Sequence, residues 1–294
     1  MTHDSIVLER GGRYHLRRVF IYCCLIFIAA VYLLPLVVVV FTSLKNIDEI
    51  RNGSLLSLPK APTLEAWQQA WSDACIGLQC SGLKGFFLNS MILIVPAVGL
   101  STAIGAINGF ALTHWKFRGS NVIFALLLFG VFIPFQIILI PMARSLGAVG
   151  LANTMPGLIL VHVVYGIPFT TLFFRNYFVS LPAELVKAAK VDGAGFYQTF
   201  FRVILPISIP CIVVAVIWQF TNIWNDFLFG TTFTSGDNVP VTVALNNIVN
   251  TTTGVKRYNV DMAAVVLTAL PTIAIYVLAG KYFLRGLMAG SVKG

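Results

Sequence analysis

The sequence predicts an all-α polytopic membrane protein with six membrane-spanning helices. Of its 294 residues, 57% are hydrophobic and only 11% are charged, whereas soluble domains carry about 25% charged residues. The apolar residues fall in nearly uncharged runs of about 20, the length that a helix needs to cross a hydrocarbon core of about 30 Å. A transmembrane β-barrel would instead show alternating segments of about 10 residues. The composition therefore favours a helical bundle in a bilayer and excludes a soluble domain.

Six apolar runs have this length, and they are residues 19–41, 87–112, 122–142, 156–174, 207–227 and 263–283. The first is longer than the core of a typical signal peptide and lacks a small-residue cleavage site after it, so we expect a retained helix. Pro134 and Pro271 lie inside runs and should kink their helices. Gly105 and Gly109 should let another helix of the same chain approach closely, with dimerisation as the less favoured alternative.

The basic residues predict the orientation, because cytoplasmic connections carry an excess of Lys and Arg. Thirteen of the 20 lie in the N-terminal segment, the second and fourth connections and the tail, and only seven lie in the others. Both termini should therefore be cytoplasmic. This divides the chain into a cytoplasmic segment 1–18, a six-helix domain 19–284 with an external loop 42–86 and a cytoplasmic loop 177–206, and a cytoplasmic tail 285–294. Anionic lipid explains the net charge of +9 without a nucleic-acid partner.

Cys75 and Cys80 lie in the external loop, where oxidising conditions permit a disulfide. Two free thiols in a structured loop are an equally open alternative, because the sequence does not give the distance between the two Cα atoms. The other three cysteines, Cys23, Cys24 and Cys211, lie in apolar runs and are expected to pack there.

The cytoplasmic loop predicts two short helices, at residues 183–191 and 196–204. Ser180 can cap the first, Pro182 suits its first turn, and Gly193 can end it. On this helix the charged side chains lie toward one side and small residues form a face that suits a docking partner; the charged ones are Glu184, Lys187 and Lys190, and the face comprises Leu185, Ala188 and Ala189.

The second helix of this loop predicts an anchor on the membrane bundle. Its apolar stripe comprises Phe196, Phe200, Val203 and Ile204, which recur at helical spacing. The second helix of the loop should therefore attach it to the membrane bundle, and the first should present a surface to a docking partner.

Together these residues resemble the signature loop of ABC importer permeases, Glu-Ala-Ala-x3-Gly-x9-Ile-x-Leu-Pro. The matching positions are Lys187-Ala188-Ala189, Gly193 and Val203-Ile204-Leu205-Pro206. The tail 285–294 resembles the carbohydrate-uptake class, of the maltose type. The chain is thus identified as a member of that class, in the cell inner membrane.

This resemblance implies that the first loop helix is a coupling helix that docks in a groove of an ATPase subunit. The implied coupling residues are Glu184, Lys187, Ala188, Ala189, Asp192, Gly193 and Ala194. Lys187 stands where the family has a glutamate, which reverses a charge. Glu184, one turn earlier, could pair with it for only about 0.2–0.5 kcal/mol, so the polar contact with the ATPase stays open.

The resemblance also implies four partners: a second homologous permease, two ATP-binding subunits and an extracellular or periplasmic sugar-binding protein. The chain has no Gly-x-x-x-x-Gly-Lys-Ser/Thr loop, so ATP and Mg should bind the partner ATPases. We expect no cofactor and no catalysis on this chain itself. His114 and His162 have no second ligand at metal spacing, which predicts no metal site.

The end of the fifth run carries candidate residues for the substrate path. Gln219, Asn222 and Asp226 recur at i, i+3 and i+7 on one helix face, and amides and carboxylates beside aromatic rings are residue types that bind sugars. The candidates are Trp218, Gln219, Asn222, Trp224, Asn225 and Asp226. For any single one, hydrogen bonding between helices is a slightly favoured alternative. Which of the two permeases holds the sugar stays open.

Residues 80–90 and 240–247 look most like permeases for glucose or mannose, which implies such a sugar as substrate. The main alternative class is a secondary transporter driven by an ion gradient, which would usually show internal repeats and ionisable residues at membrane depth. A polytopic membrane enzyme would need a nucleophile, base or metal constellation, and the sequence offers none.

Overall fold

The computed structural model describes residues 4–76, 79–115, 117–251 and 256–291, without the side chains of residues 4–14, 16, 76, 79 and 281–291. The chain forms two compact units. The first comprises Met1–Ala74 and Thr252–Leu267, and the second comprises Cys75–Thr251 and Thr268–Gly294. Of the predicted tail 285–294, the described residues include the backbone of 285–291 and none of the side chains.

Helices dominate the described residues, which confirms the all-α prediction. In chain order the elements are α1 (Asp4–Ser43), α2 (Ile47–Asn52), α3 (Glu65–Ser72), β1 (Cys75–Ile76), β2 (Gln79–Cys80), α4 (Lys84–His114), α5 (Ser120–Phe132), α6 (Phe135–Ala148), α7 (Met155–Val179), α8 (Ala183–Val191), α9 (Phe196–Thr199), a π-helical turn (Phe200–Ile204), α10 (Leu205–Ile207), α11 (Ile209–Trp224), α12 (Leu228–Phe233), a 3-10 turn (Gly236–Asn238), α13 (Val241–Val249) and α14 (Tyr258–Ser291).

Four helices are long and apolar enough to cross a membrane: Arg17–Ser43 within α1, α4, α7, and Tyr258–Gly280 within α14. Two further segments reach this length only as bent pairs. The α5–α6 pair bends by 106°, and Phe196–Ile207 and Ile209–Trp224 meet at 81°. The described residues therefore offer four straight spans, or up to six if each bent pair is one span.

The bend between α5 and α6 corrects the prediction of one kinked helix over 122–142. The helix stops at Phe132, and Ile133 and Pro134 both have ψ of 122°, which is extended backbone. Proline lacks an N–H and disfavours helical backbone in the residue before it, so here it breaks the helix. Pro271 behaves differently, because α14 continues through it.

The fifth run also departs from a single helix. The segment turns at Ser208, and α11 ends at Trp224. Residues 225–227, which were predicted to be helical, are therefore not helical. The helix of the first run is longer than predicted, because α1 begins at Asp4 and residues 4–18 are helical too.

Glycines bring α4 and α7 into close contact in the second unit. A Cβ on Gly109 would lie 2.8 Å from the backbone N of Arg175, and one on Gly105 would collide with the side chain of Thr170. Thr170 Oγ1 also donates a hydrogen bond to the Ser101 carbonyl across this contact, at 2.9 Å. The preferred interpretation of this glycine pair, packing within the chain, is confirmed.

A two-residue antiparallel strand pair, β1 with β2, places Cys75 opposite Cys80. Their Sγ atoms lie at bonding distance. Residues 77 and 78 between the strands lie outside the described residues.

The first unit contains a fully buried lysine. Lys45 is 1% exposed, and its Nζ donates to the Ser54 carbonyl and to Ser57 Oγ, both at 3.1 Å. Asn259 Nδ2 donates to the Lys45 carbonyl at 3.2 Å. The first two bonds give the buried ammonium group oxygen acceptors, and the third ties the segment after α1 to the start of α14.

Candidate functional site

The predicted docking segment begins with α8, which ends in a tight left-handed turn. Gly193 has φ of +79°, a conformation that glycine adopts without the steric cost of a Cβ. Its N–H donates to the Lys190 carbonyl at 3.1 Å, and the Ala194 N–H donates to the Ala189 carbonyl at 2.9 Å. This pair of bonds is a Schellman motif, so the predicted stop at Gly193 is where the helix ends.

The start of α8 differs from the predicted one. Ser180 follows the last residue of α7, and its Oγ donates to the Tyr177 carbonyl at 2.6 Å. The residue before α8 is Pro182. The serine therefore ends one helix instead of capping the next, because α7 extends five residues beyond the predicted span.

The faces of α8 divide the predicted coupling residues. Val186 and Ala189 are buried. The other coupling positions on the helix and its turn are accessible, namely Glu184, Lys187, Ala188, Asp192 and Gly193, with Ala194 partly so. Ala189 therefore does not belong to the presented face as predicted. A helix only nine residues long needs an inward anchor, and Val186 and Ala189 lie three positions apart on that side.

The second half of the loop packs on the bundle as predicted. Phe200 and Ile204 are buried, and Phe196 and Val203 pack against the same cluster, together with Phe110 of α4, Phe174 and Phe178 of α7. A π-helical turn covers Phe200–Ile204, in which the Leu205 N–H bonds to the Phe200 carbonyl. Pro206 follows and has no N–H for the Arg202 carbonyl, so a regular α-helix could not continue its bonding here.

A contact that the sequence analysis did not predict attaches α8 to the end of α4. Lys190 Nζ lies 4.2 Å from the centroid of the Trp115 ring, within the range of a cation–π interaction. The Trp115 ring meets the Phe196 ring at 5.5 Å, and Phe196 meets Phe110 at 5.1 Å. Trp115 thus links both halves of the loop to α4.

A cavity of about 300 Å³ lies in the second unit, between the α5–α6 bend, α7, α11 and α12. Its lining is mainly apolar and aromatic, with a few polar groups; it comprises Gly130, Val131, Phe135, His162, Tyr165, Gly166, Phe169, Trp218, Gln219, Asn222, Ile223, Asp226 and Phe229. A mainly apolar cavity with a few convergent polar groups is typical of a small-molecule site.

Four of the predicted path residues line this cavity, and each makes a local contact. The Trp218 ring stacks on Phe169 with 5.0 Å between centroids. Gln219 is buried and donates to Ser101 Oγ at 2.8 Å, which is the helix-to-helix bond that was the favoured alternative. Asn222 donates to the Trp218 carbonyl at 3.0 Å.

Asp226 reaches the cavity by a different route from the predicted one. It lies two residues after the end of α11, not on its face. Its carboxylate accepts hydrogen bonds from the backbone N–H groups of Phe229 at 3.3 Å and Gly230 at 3.0 Å. It therefore stabilises the start of α12 and is held at the cavity wall.

Trp224 and Asn225, which were also predicted for the substrate path, are not part of the lining of this cavity. Trp224 is 1% exposed, donates from Nε1 to the Thr268 carbonyl at 2.9 Å, and packs on Phe220. Asn225 ends α11 and donates to the Thr221 carbonyl at 2.9 Å. A buried indole bonded to another helix is part of the packing and not of a pore wall.

His162 is a titratable cavity residue that sequence analysis did not place on the substrate path. It is 6% exposed, and its Nε2 lies 3.6 Å from Asp226 Oδ2 with no hydrogen-bond partner among the described residues. The two residues are 64 positions apart, so no spacing pattern joins them; a lone histidine in an apolar run was the sole signal. Within the described ranges, no three His, Cys, Asp or Glu side chains could together hold a metal ion.

Comparisons with known proteins agree with this architecture. A family model described as "Binding-protein-dependent transport system inner membrane component" matches residues 89–287. A probable ABC transporter permease protein of Pyrococcus horikoshii is 41% identical over 278 residues, which cover 94% of this chain and 98% of the relative. A xylose/arabinose import permease protein of Haloferax volcanii is 33% identical, with 93% of each chain covered.

Among solved structures, the chain is similar to one chain of a bacterial ABC transporter involved in the import of the acidic polysaccharide alginate. The TM-score is 0.79 at 20% identity, with 92% of this chain and 97% of that chain covered. At this identity the likeness concerns the fold.

Proposed function

The chain belongs to the binding-protein-dependent transport system inner membrane components, and we propose that it is a permease subunit that couples sugar import to ATP hydrolysis on partner subunits. The observation that carries the coupling role is the geometry of α8. This helix is anchored through Val186 and Ala189, stopped by Gly193 at φ +79°, and exposed on its other side.

In this proposal α8 is the coupling helix, and each bent helix pair counts as one of six spans, with both termini in the cytoplasm. ATP and Mg bind two ATPase subunits, a second permease completes the path, and a periplasmic protein delivers the sugar. A rigid-body movement of the ATPases needs a stiff element to reach the bundle. The packed aromatic cluster under α9 and the Trp115–Lys190 contact supply such stiffness.

The cycle follows from a shift between two conformations of the bundle. A ligand moves such an equilibrium only by its different affinity for the two states. ATP binding at the partner pair would favour an outward-open bundle, and hydrolysis would return it to the inward-open one. The chain itself contributes conformational change and no bond chemistry.

For the substrate we propose a sugar of the glucose or mannose type. The two segments that suggested it, 80–90 and 240–247, meet in the structure, because Ser90 Oγ accepts a hydrogen bond from the Val241 N–H at 2.9 Å. Beside this contact, Asn89 Nδ2 donates to the carbonyl of Val239, the residue before the second segment, at 3.0 Å. The xylose and arabinose of the Haloferax relative support a sugar, and leave its identity to experiment. The alternative of an ion-gradient-driven transporter is not favoured, because the matching family depends on a binding protein.

The test is reconstitution of the chain with its partner permease, ATPases and binding protein in vesicles. We expect ATPase activity that rises when a sugar from a panel of monosaccharides and disaccharides is added, together with ATP-dependent uptake of that sugar. Uptake that persists without ATP and responds to an ion gradient would refute the proposal. Failure of any ATPase to copurify with the chain would refute it as well.

A further inference from the structure

The cavity contains one polar pair whose hydrogen bonding is incomplete. His162 Nε2 is buried without a hydrogen-bond partner among the described residues, although a buried polar atom without a partner is costly. The nearest acidic oxygen, Asp226 Oδ2, lies 3.6 Å away, beyond the range of about 2.7–3.2 Å for a direct N–H···O bond. Both residues belong to the cavity lining, so the pair is at the wall of the space where a ligand would sit.

A hydroxyl group fits the gap between His162 Nε2 and Asp226 Oδ2 better than a cation or a second carboxylate. One hydroxyl can donate to Asp226 Oδ2 and accept from His162 Nε2–H, since it carries a donor and two acceptor lone pairs. An oxygen about 2.8 Å from each atom would complete both bonds. The Asp226 carboxylate is already fixed by the backbone N–H groups of Phe229 and Gly230, so the acceptor is held in place before a ligand arrives.

The charge of the lining decides against an acidic sugar. Among the described residues that line the cavity, Asp226 is acidic, and none is Lys or Arg. Proteins usually recognise carboxylates with the guanidinium fork of arginine. A uronate would instead bring a second negative charge beside Asp226, and neighbouring like charges repel each other.

The aromatic side of the cavity suits the remaining face of a sugar. Trp218 stacks on Phe169, the residue is 46% exposed, and both residues belong to the cavity lining. Apolar C–H groups of a sugar ring can cover an aromatic face while the hydroxyls point to polar groups. A volume of about 300 Å³ has room for a small sugar.

We propose that His162 and Asp226 together bind one hydroxyl of a neutral sugar in this cavity, and that this pair selects against sugars that carry a carboxylate. The proposal rests on the proposed function, because it assumes that the cavity belongs to the sugar path. It adds His162 as a binding residue and a physical ground, the charge of Asp226, for excluding acidic sugars.

The test measures sugar binding to the purified complex without its binding protein, whose own selectivity is thereby removed. Labelled pairs that differ only in the carboxylate serve as probes: glucose and glucuronate, mannose and mannuronate, galactose and galacturonate. The variants are His162→Phe, His162→Gln and Asp226→Asn. Matched controls are His15→Gln and Asp237→Asn, the same substitutions at positions away from the cavity lining.

We expect at least one neutral sugar to bind about tenfold or more tightly than its uronate. His162→Phe should weaken neutral-sugar binding by about tenfold, the effect of one buried hydrogen bond lost, and His162→Gln should restore part of it because an amide can still donate. Asp226→Asn should reduce the difference between sugar and uronate, because it removes the repelling charge. The two controls should bind as the unaltered complex does.

The proposal is overturned if a uronate binds as tightly as its neutral partner, or if His162→Phe and Asp226→Asn leave both affinities unchanged. It is also overturned if ATP-driven sugar uptake is normal in vesicles while no sugar in the panel binds this complex. Absence of ATP-driven uptake for every sugar would instead refute the proposed function, so the two failures are distinguishable.

Discussion

Replacing Gly193 tests the coupling role of α8 with the least disturbance of its surroundings. At φ +79° a residue with a Cβ costs about 1–2 kcal/mol, and β-branched valine costs more. A Cβ at this position meets no atom within 4 Å, so the effect is confined to the backbone of the turn. The change therefore weakens the Schellman motif without altering a packing contact.

Gly195 provides the matched control two residues later. Its φ of −76° and ψ of −178° are extended backbone that any residue adopts, and a Cβ there also meets nothing within 4 Å. Gly195→Ala should be neutral or stabilising by about 0.4–1 kcal/mol, through lower entropy of the unfolded chain. The entropy gain applies to both alanine variants and cancels, so the gap between Gly193→Ala and Gly195→Ala is the strain of about 1–2 kcal/mol, or roughly 5- to 30-fold in the population of the native turn.

The assay compares sugar-stimulated ATPase activity and ATPase copurification in reconstituted vesicles. Gly193→Val should remain in the membrane yet lose ATP-linked uptake and ATPase binding, Gly193→Ala should lose part of both, and Gly195→Ala should retain both. Normal transport by Gly193→Val would refute the coupling role of α8. Equal losses in Gly193→Ala and Gly195→Ala would refute the backbone argument.

Three further predictions concern packing and the loop contacts. Gly105→Ala should lower the melting temperature of the complex, since overpacking costs about 1–3 kcal/mol where α4 meets α7. Gly99→Ala should not lower it, because the space around a Cβ at Gly99 is open. Equal melting temperatures of the two variants would contradict the close approach of α4 and α7. Trp115→Leu should reduce sugar-stimulated ATPase activity about two- to fivefold, which corresponds to the loss of a cation–π contact of about 0.5–1 kcal/mol. Trp115→Phe keeps an aromatic ring and should retain most of the activity. An equal loss of activity in both variants would show that the cation–π contact with Lys190 is irrelevant. Cys75 and Cys80 should react with a maleimide only after reduction, as mass spectrometry of the tryptic peptides would report, and labelling of both without reductant would exclude the disulfide.

Local patterns in the sequence were enough for the helical class, for several of the long spans and for much of the loop. A run of about 20 apolar residues reports a span because the bilayer sets its length, and the runs at 87–112 and 156–174 correspond to α4 and α7. Gly193 and the stripe from Phe196 to Ile204 were predicted for the same reason, since helix stops and helix faces depend on residues within a few positions of each other.

Backbone geometry at proline was only partly predictable. Pro134 and Pro271 both occur in apolar runs, yet α5 breaks by 106° at the first and α14 continues through the second. A membrane helix can keep or lose its continuity at proline according to which neighbouring groups satisfy the freed carbonyls. That choice depends on packing against other helices and not on the local sequence.

The sequence by itself determined that this chain is a helical membrane protein, where its long apolar spans lie, and that residues 183–206 form a helix, a glycine turn and an apolar anchor. Only the tertiary structure decided that Ala189 faces inward, that Trp224 is packed instead of lining a path, and that His162 meets Asp226 across a cavity. The physical reason is range: hydrophobic periodicity and turn chemistry act over a few residues, whereas a contact between residues 64 positions apart exists only after α7 and α11 have packed.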